Sequence, residues 1–463
     1  MKRFQHDLSL RIVKLLNIVL ATVPFALCWF AYYGEEIVSP YYYNGNLVVI
    51  GLFALLYFLF ARVYDAMLVS INRISEMIYS QALAVMLTDA IAYIVICLMG
   101  KRLINILPGV AALAGQLVLL TIWSLCAHIW YYKTFPPKKT ALIYDRRYGI
   151  EKLIHEYGLT KKFDIRLTIH ASRCASRLEE LKDMETVFIS GVGSHIRNTV
   201  MKYCIEHDIQ VYVLPRIGDI IMSGAQPIHM FHLPMLRVDR KELHPEQGFL
   251  KRLMDILLCA IALLVLSPVM IITAIAIKAT DGGPVFYKQN RLTKDGKVFQ
   301  VLKFRSMRVD AEKDGVARLS TGDKDDRITP VGHIIRKLRI DELPQLLNIL
   351  GGSMSIVGPR PERPEIAQQY EEVLPEFRLR LQVKAGLTGY AQVYGKYNTT
   401  PYDKLQMDLM YIANPSIVED LKIILATIKI IFLPESTDGI AENQTTAMQT
   451  STENEEDLVG AEK

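Results

Sequence analysis

The sequence predicts an α+β membrane protein in three parts: a four-helix transmembrane bundle, a Rossmann-like α/β domain without a Gly-rich fingerprint, and a helix-rich C-terminal domain entered through a fifth apolar helix. Three observations carry that expectation. Hydrophobic residues make up 51% of the 463 positions, and the mean hydropathy of +0.20 is too apolar for an ordinary soluble protein. Four apolar stretches of spanning length crowd the region before Lys133. After them, short β-type runs alternate with amphipathic ones, until another apolar run opens a basic, turn-rich region.

The first part, 1–133, holds the four stretches Ile12 to Tyr33, Asn46 to Ala61, Gln81 to Met99 and Ile104 to Trp130. Basic residues orient them. Lys2, Arg3, Arg11, Lys14, Arg62, Arg73, Lys133, Lys138 and Lys139 fall on one side, against Lys101 and Arg102 on the other, which makes the first side cytoplasmic. Met1-Lys2-Arg3 resembles a signal-peptide start, but the apolar run after it is long and shows no convincing cleavage site, so an uncleaved span is expected. Six scattered cysteines, four of them in apolar segments, give no disulfide or zinc framework.

The second part, 134–245, places β-type runs at Ala141 to Tyr144, Asp164 to Ile169, Thr186 to Ser190 and Gln210 to Leu214, a spacing that argues for a parallel sheet. A dinucleotide site needs a Gly-rich turn after the first strand, and Asp145-Arg146-Arg147-Tyr148-Gly149 is no phosphate cradle. Gly191-Val192-Gly193 is the one Gly pair near a strand end. The domain therefore reads as regulatory or as an interaction module.

The third part, 246–433, begins with the apolar run 253–278, interrupted by Ser267-Pro268. Proline removes a helix hydrogen bond and costs about 3 kcal/mol unless the freed carbonyl finds another partner. Two topologies follow. A kinked fifth span would put everything after Lys278 outside, whereas a re-entrant hairpin would return the chain to the same face. Past it, Ile417 to Phe432 reads as an amphipathic helix for a membrane surface or for the domain itself. The tail 434–463 holds eight acids and one lysine and is expected to be disordered. The net charge of +5 thus hides a body near +12, suited to anionic lipid and phosphorylated substrates, and no basic module interleaved with aromatics points to nucleic acid.

Chemistry concentrates in this third part. Asp341-Glu342 heads an amphipathic segment read as helical to Leu350, so Asp341 is expected at its N-cap and ionised near the helix dipole. Around it stand Lys303-Phe304-Arg305, Asp326-Arg327, Arg336-Lys337 and Arg360. Cations for equatorial oxygens beside a carboxylate pair suit a diphosphate with a divalent ion. The bland alternative is a capped helix among solvated surface charges.

The ordered blocks are also recognisable. Gly283 to Gln289 with Arg291, Lys303 to Met307, Asp326 to Thr329, Arg336 with Asp341 to Gln345, Met354 to Glu362, and Gly386 to Gly389 with Gln392 resemble the bacterial sugar transferases that act as monotopic polyprenyl-phosphate phosphoglycosyl transferases. The spans and α/β domain resemble, in layout, the long form that includes undecaprenyl-phosphate galactose phosphotransferases. The resemblance implies that Asp341 attacks a UDP-sugar, releasing UMP and leaving a phosphosugar that polyprenyl phosphate then accepts, the first membrane step of exopolysaccharide, capsule or O-antigen synthesis. It implies that Glu342 holds Mg2+, that Arg336 and Arg360 organise the phosphates with Lys303 and Arg305 nearby, and that Ser267-Pro268 makes a re-entrant membrane helix. It further implies a multi-pass protein of the bacterial inner membrane with its catalytic domain cytoplasmic, a homodimer, and downstream glycosyltransferases as partners. Lys396, assigned to substrate phosphate, stands where relatives carry arginine. Ala385, Ser353 and Thr293 also depart from the usual proline, aspartate and glycine.

Competing readings are separable. An inverting polytopic glycosyltransferase could use Asp323-Lys324-Asp325 as a D-x-D metal motif, but such a run is common by chance in charged loops, and a nucleotide-sugar dehydratase needs a Gly-rich fingerprint and a Tyr-x-x-x-Lys pair that Thr140 to Pro245 lacks. A non-catalytic scaffold would tolerate losing Asp341 or Glu342, and both are present.

Overall fold

A computed structural model describes residues 2–42, 44–145, 149–241, 243–309, 311, 327–395 and 400–431. The chain divides into two compact units, 1–214 and 215–463. The expected α/β domain 134–245 straddles this division, and its residues after Leu214 belong to the second unit, where the Gln406 amide donates to the Pro215 carbonyl.

In the first unit, α1 (Lys2–Cys28) continues through a π-turn, and α2 (Asn44–Val63), α3 (Ile74–Gly100) and α4 (Leu107–Thr134) follow. With the later helix Pro245–Asp281 they make five helices long and apolar enough to cross a membrane. The third expected stretch begins at Ile74, seven residues before Gln81, because helix formation does not stop where the apolar run does. Helix α1 packs on α2 and α4, and α3 packs on the same two. Phe25 stacks on Phe53 at 3.9 Å between ring centroids. Polar side chains inside bond across helices, Tyr57 to Asn17 at 2.8 Å and Ser124 to Gln81 at 3.0 Å, since lipid offers no partners.

The strands β1 (Lys138–Tyr144), β2 (Phe163–His170), β3 (Thr186–Ser190) and β4 (Gln210–Val213) form a parallel sheet in the order β2-β1-β3-β4. The helices α5 (Ile150–Glu156) and α6 (Ser194–Glu206) lie between strands in the chain. Ala141, Leu142 and Ile143 are buried outright, as the central strand of a covered parallel sheet must be.

The second unit opens with α7 (Ile217–Ser223) and the antiparallel hairpin β5 (Gln226–Met230) and β6 (Leu233–Arg237). The fifth apolar helix, α8 (Pro245–Asp281), is 37 residues long and runs through Pro268 without interruption. The expected break at Ser267-Pro268 is thus not a gap in the helix. Proline leaves the Leu264 carbonyl without its usual donor, and the Ser267 hydroxyl bonds that oxygen at 2.9 Å.

Both flanks of Pro268 dock on the same unit. Before it, the Lys251 ammonium meets Asp420 at 2.6 Å, Arg252 caps the Ile349 and Leu350 carbonyls, and Asp255 accepts from Ser355 Oγ at 2.8 Å and Ile356 N at 3.1 Å. After it, Ile277 packs with Phe304 and Ile335. Between the flanks, Leu264 and Val265 are exposed.

The rest of the unit comprises the hairpin β7 (Phe286–Leu292) and β8 (Val298–Phe304), α9 (Pro330–Lys337), a 3-10 turn Ile340–Glu342, α10 (Gln345–Leu350), β9 (Ser355–Val357), α11 (Pro364–Val373), β10 (Gly386–Thr388), α12 (Tyr390–Tyr394), α13 (Pro401–Ala413) and α14 (Ile417–Ile431). Its core gathers Cys259, Ile349, Met354, Leu405 and Ile423. Helix α14 packs one face there while Val418 and Leu421 stay exposed. The tail 434–463 lies outside the described residues.

Candidate active site

Asp341 and Glu342 sit on the 3-10 turn, not at a helix N-cap: α10 starts at Gln345 with Pro344 before it. The proline explains the difference, because it suits the first turn of a helix and moves the start past the carboxylates. Arg339, left-handed at φ 54°, turns the chain sharply out of α9 and sets the pair facing β8.

Glu342 is the hub. Its Oε1 accepts from Lys303 Nζ at 3.0 Å and from Arg360 Nη2 at 2.9 Å, with 16% of its side chain exposed. Burial works against its charge, yet Lys303 and Arg360 outweigh burial and hold the carboxyl well below the usual range. Asp341 goes the other way. Burial and the adjacent Glu342 charge push it up, against the pull of Lys303, Arg336 and Arg360. The sequence-level expectation that a helix end keeps Asp341 ionised is therefore replaced by a cationic cluster opposing burial.

Two glycine contacts bring distant blocks together. A Cβ at Gly389 or Gly386 would run into the Gly358 backbone, so only glycine allows this crossing, and Gly358 N bonds the Thr388 carbonyl at 2.9 Å. Two residues on, Arg360 thereby lies beside Gln392, its Nη1 donating to Gln392 Oε1 at 3.2 Å.

The Arg360 loop is held from behind by groups that carried no role in the sequence reading. Buried Arg380 donates to the Arg360 carbonyl at 3.0 Å while paired with Asp408 at 2.7 Å, and Arg291 donates to the Pro361 carbonyl at 2.9 Å. Arg291 belonged to a recognised block. Arg380 and Asp408 had no local signal, being 28 residues apart in segments to which the sequence reading gave no motif.

Of the expected residues, the structure brings Asp341, Glu342, Lys303, Arg336 and Arg360 together. Arg305 is not among them. Its guanidinium is 7% exposed, paired with Asp281 and bonded to the Pro284 carbonyl at 2.7 Å, which fastens the end of α8 to β8. Lys396, Asp326 and the Asp323-Lys324-Asp325 run lie outside the described residues. For a divalent ion, which takes one or two carboxylates and keeps substrate oxygens or water, ionised Glu342 is a fitting donor, because both cations sit on its Oε1; among the described residues no group of three or more His, Cys, Asp or Glu side chains could hold a metal by itself.

The profile described as "Bacterial sugar transferase" matches residues 246–434, the stretch that contains α8 and this site. A UDP-N-acetylgalactosamine-undecaprenyl-phosphate N-acetylgalactosaminephosphotransferase from Aeromonas hydrophila is 35% identical over 297 residues, covering 62% of this chain and 68% of that protein. A UDP-glucose:undecaprenyl-phosphate glucose-1-phosphate transferase from Escherichia coli (strain K12) is 39% identical over 212 residues, 45% of this chain and less than half (44%) of that protein. The exopolysaccharide production protein PSS of Rhizobium leguminosarum bv. phaseoli is 43% identical over 188 residues, 39% of this chain and 93% of that protein. A site assembled from the matched blocks, and this coverage at this identity, show that the chain belongs to the bacterial sugar transferase family.

Proposed function

We propose that the protein transfers a sugar 1-phosphate from a UDP-sugar to a polyprenyl phosphate, undecaprenyl phosphate in bacteria, in two displacements through Asp341. The observation that carries this reading is the carboxylate pair on one turn with opposite titration shifts, ringed by Lys303, Arg336 and Arg360. A carboxylate Oδ of Asp341 attacks the phosphorus bearing the sugar; the phosphoanhydride bond to UMP breaks as the acyl phosphate bond forms. A phosphate oxygen of the polyprenyl phosphate then attacks the same phosphorus, and Asp341 leaves as carboxylate. The product is a polyprenyl diphosphate sugar.

Lys303 and Arg360, already fixed on Glu342, face the oxygens on which charge builds, so they need little rearrangement as it develops. Glu342 would hold a magnesium ion. Such an ion, when bound, neutralises diphosphate charge. Arg380 and Arg291 keep the Arg360 loop in place from behind.

The lipid acceptor requires a site at the membrane face. We place that site on the cytoplasmic face of the inner membrane, with α8 entering and leaving by one leaflet. The docking of both its flanks on one unit supports that placement. Membranes containing the protein, supplied with UDP-sugar, magnesium and polyprenyl phosphate, should release UMP and form the lipid diphosphate sugar, and Asp341→Asn should abolish both. Full UMP release by Asp341→Asn would end the covalent reading.

A further inference from the structure

We infer that Gln392 contacts the donor substrate and helps set its identity: its amide nitrogen donates to an acceptor oxygen of the sugar phosphate. The inference rests on the reaction proposed above and adds a residue to it. Helix α12 begins directly after Gly389, whose crossing with Gly358 leaves no room for a side chain, so Gln392 is delivered to Arg360 by two backbone strands in contact.

The amide has one possible orientation. Arg360 Nη1 lies 3.2 Å from Gln392 Oε1, and a guanidinium has only donors, so the carbonyl oxygen must face it and the NH2 must point the other way. That NH2 is buried from solvent, and among the described residues it has no acceptor. Buried donors in folded proteins are nearly always satisfied, and an exception beside an active site is explained by a bound molecule that completes the bond. The same guanidinium reaches Glu342 through Nη2 at 2.9 Å. Nε2 therefore stands one guanidinium away from the carboxylate pair, beside the glycine crossing and 3.8 Å from where a Gly389 Cβ would lie, and the inference puts the donor sugar phosphate within its reach when the phosphorus is presented to Asp341.

The required ligand chemistry is an oxygen acceptor. Lys303 and Arg360 already supply positive charge, and a neutral N–H donor is suited to a sugar hydroxyl or acetamido carbonyl. A phosphate oxygen offers the same acceptor, so the test has an arm for each.

The informative variant is Gln392→Glu, which keeps an oxygen for Arg360 and replaces the donor by a second acceptor; Gln392→Leu removes both. UMP release by the full-length chain in detergent would be measured over UDP-glucose, UDP-galactose and their N-acetylated counterparts, with inhibition by UMP and the thermal midpoint alongside. In Gln392→Glu the KM for the preferred donor should rise ~10-fold or more at an unchanged midpoint. A contact to the sugar changes the ratios among the four donors and leaves UMP inhibition alone. A contact to phosphate raises all four KM values together and weakens UMP inhibition. Wild-type KM, donor ratios and UMP inhibition in folded Gln392→Glu would overturn the inference, since a residue that merely orients Arg360 is preserved by glutamate. If the wild-type chain releases no UMP from any of the four, the proposed reaction fails and the contact is read from calorimetric binding of the UDP-sugars, where equal affinity of wild type and Gln392→Glu overturns it.

Discussion

Asp341 and Glu342 are neighbours on one turn, yet the cations around them are unequally shared. Lys303 and Arg360 bond Glu342 directly, while Asp341 feels them across space and bears the cost of burial. Paired groups pushed apart in this way divide labour between an ionised anchor and a group poised to react. The sign of the pH dependence follows. Attack needs ionised Asp341, whose carboxyl is raised, so kcat/KM should fall as pH falls through a value above the ordinary aspartate range. Lys303 is the largest opposing charge; Lys303→Gln should raise Asp341 further and move this acid limb to higher pH. A limb that stays put or moves to lower pH in that variant would contradict the arrangement. A raised folded-state pKa also means that ionised Asp341 burdens the fold once pH rises through it. Asp341→Asn should therefore lose activity while its thermal midpoint at neutral pH stays level or rises. Arg305 shows what a sequence leaves undivided. A buried fastener and a phosphate ligand are the same residue type at a strand end, and only the placement of Asp281 separates them.

At the scale of elements, the crossing of β9 with β10 makes the site. The segments holding Gly358 and Gly389 each contribute one half of the Arg360 and Gln392 pair, and their backbones touch. Gly389→Ala places a methyl against the Gly358 carbonyl, which cannot swing aside as a flexible side chain would. The strands must part, and a displacement near 1 Å at a positioning contact costs on the order of 10²-fold in rate. We expect a loss of that order in UMP release, with membrane expression retained; near-normal turnover would show that the crossing tolerates a Cβ. This contact explains how far the sequence could be read. The strands of the parallel sheet and the five apolar helices were legible because each depends on local composition: Ala141 to Ile143, or Val187 and Ile189, must be apolar whatever surrounds them. The two halves of the site were visible as separate blocks. Their adjacency was not, because a long-range backbone contact leaves no local trace beyond the glycines. The turn at Asp341 was missed for a related reason, since apolar periodicity runs smoothly across Pro344 and hides where the helix begins.

For the whole molecule the decisive element is α8. At 37 residues it is long enough to span, and hydropathy alone would count it as a fifth crossing. A crossing would separate its flanks by the thickness of the bilayer. Lys251, Arg252 and Asp255 instead bond α14, α10 and β9, while Ile277 and Asp281 bind β8 and α9, and all of these belong to one compact unit. The exposed apolar stretch between, including Leu264 and Val265, lies beside Ser267 and Pro268 and is the part we propose for lipid. On the proposed topology of four spans followed by a re-entrant α8, Glu376, an exposed residue of the second unit, should lie in the cytoplasm. Glu376→Cys should react with an impermeant maleimide in inverted vesicles and remain unlabelled in intact cells, while Glu35→Cys, between the first two spans, should show the reverse. Labelling of Glu376→Cys from outside the cell would make α8 a true span and remove the site from the compartment that holds nucleotide sugars.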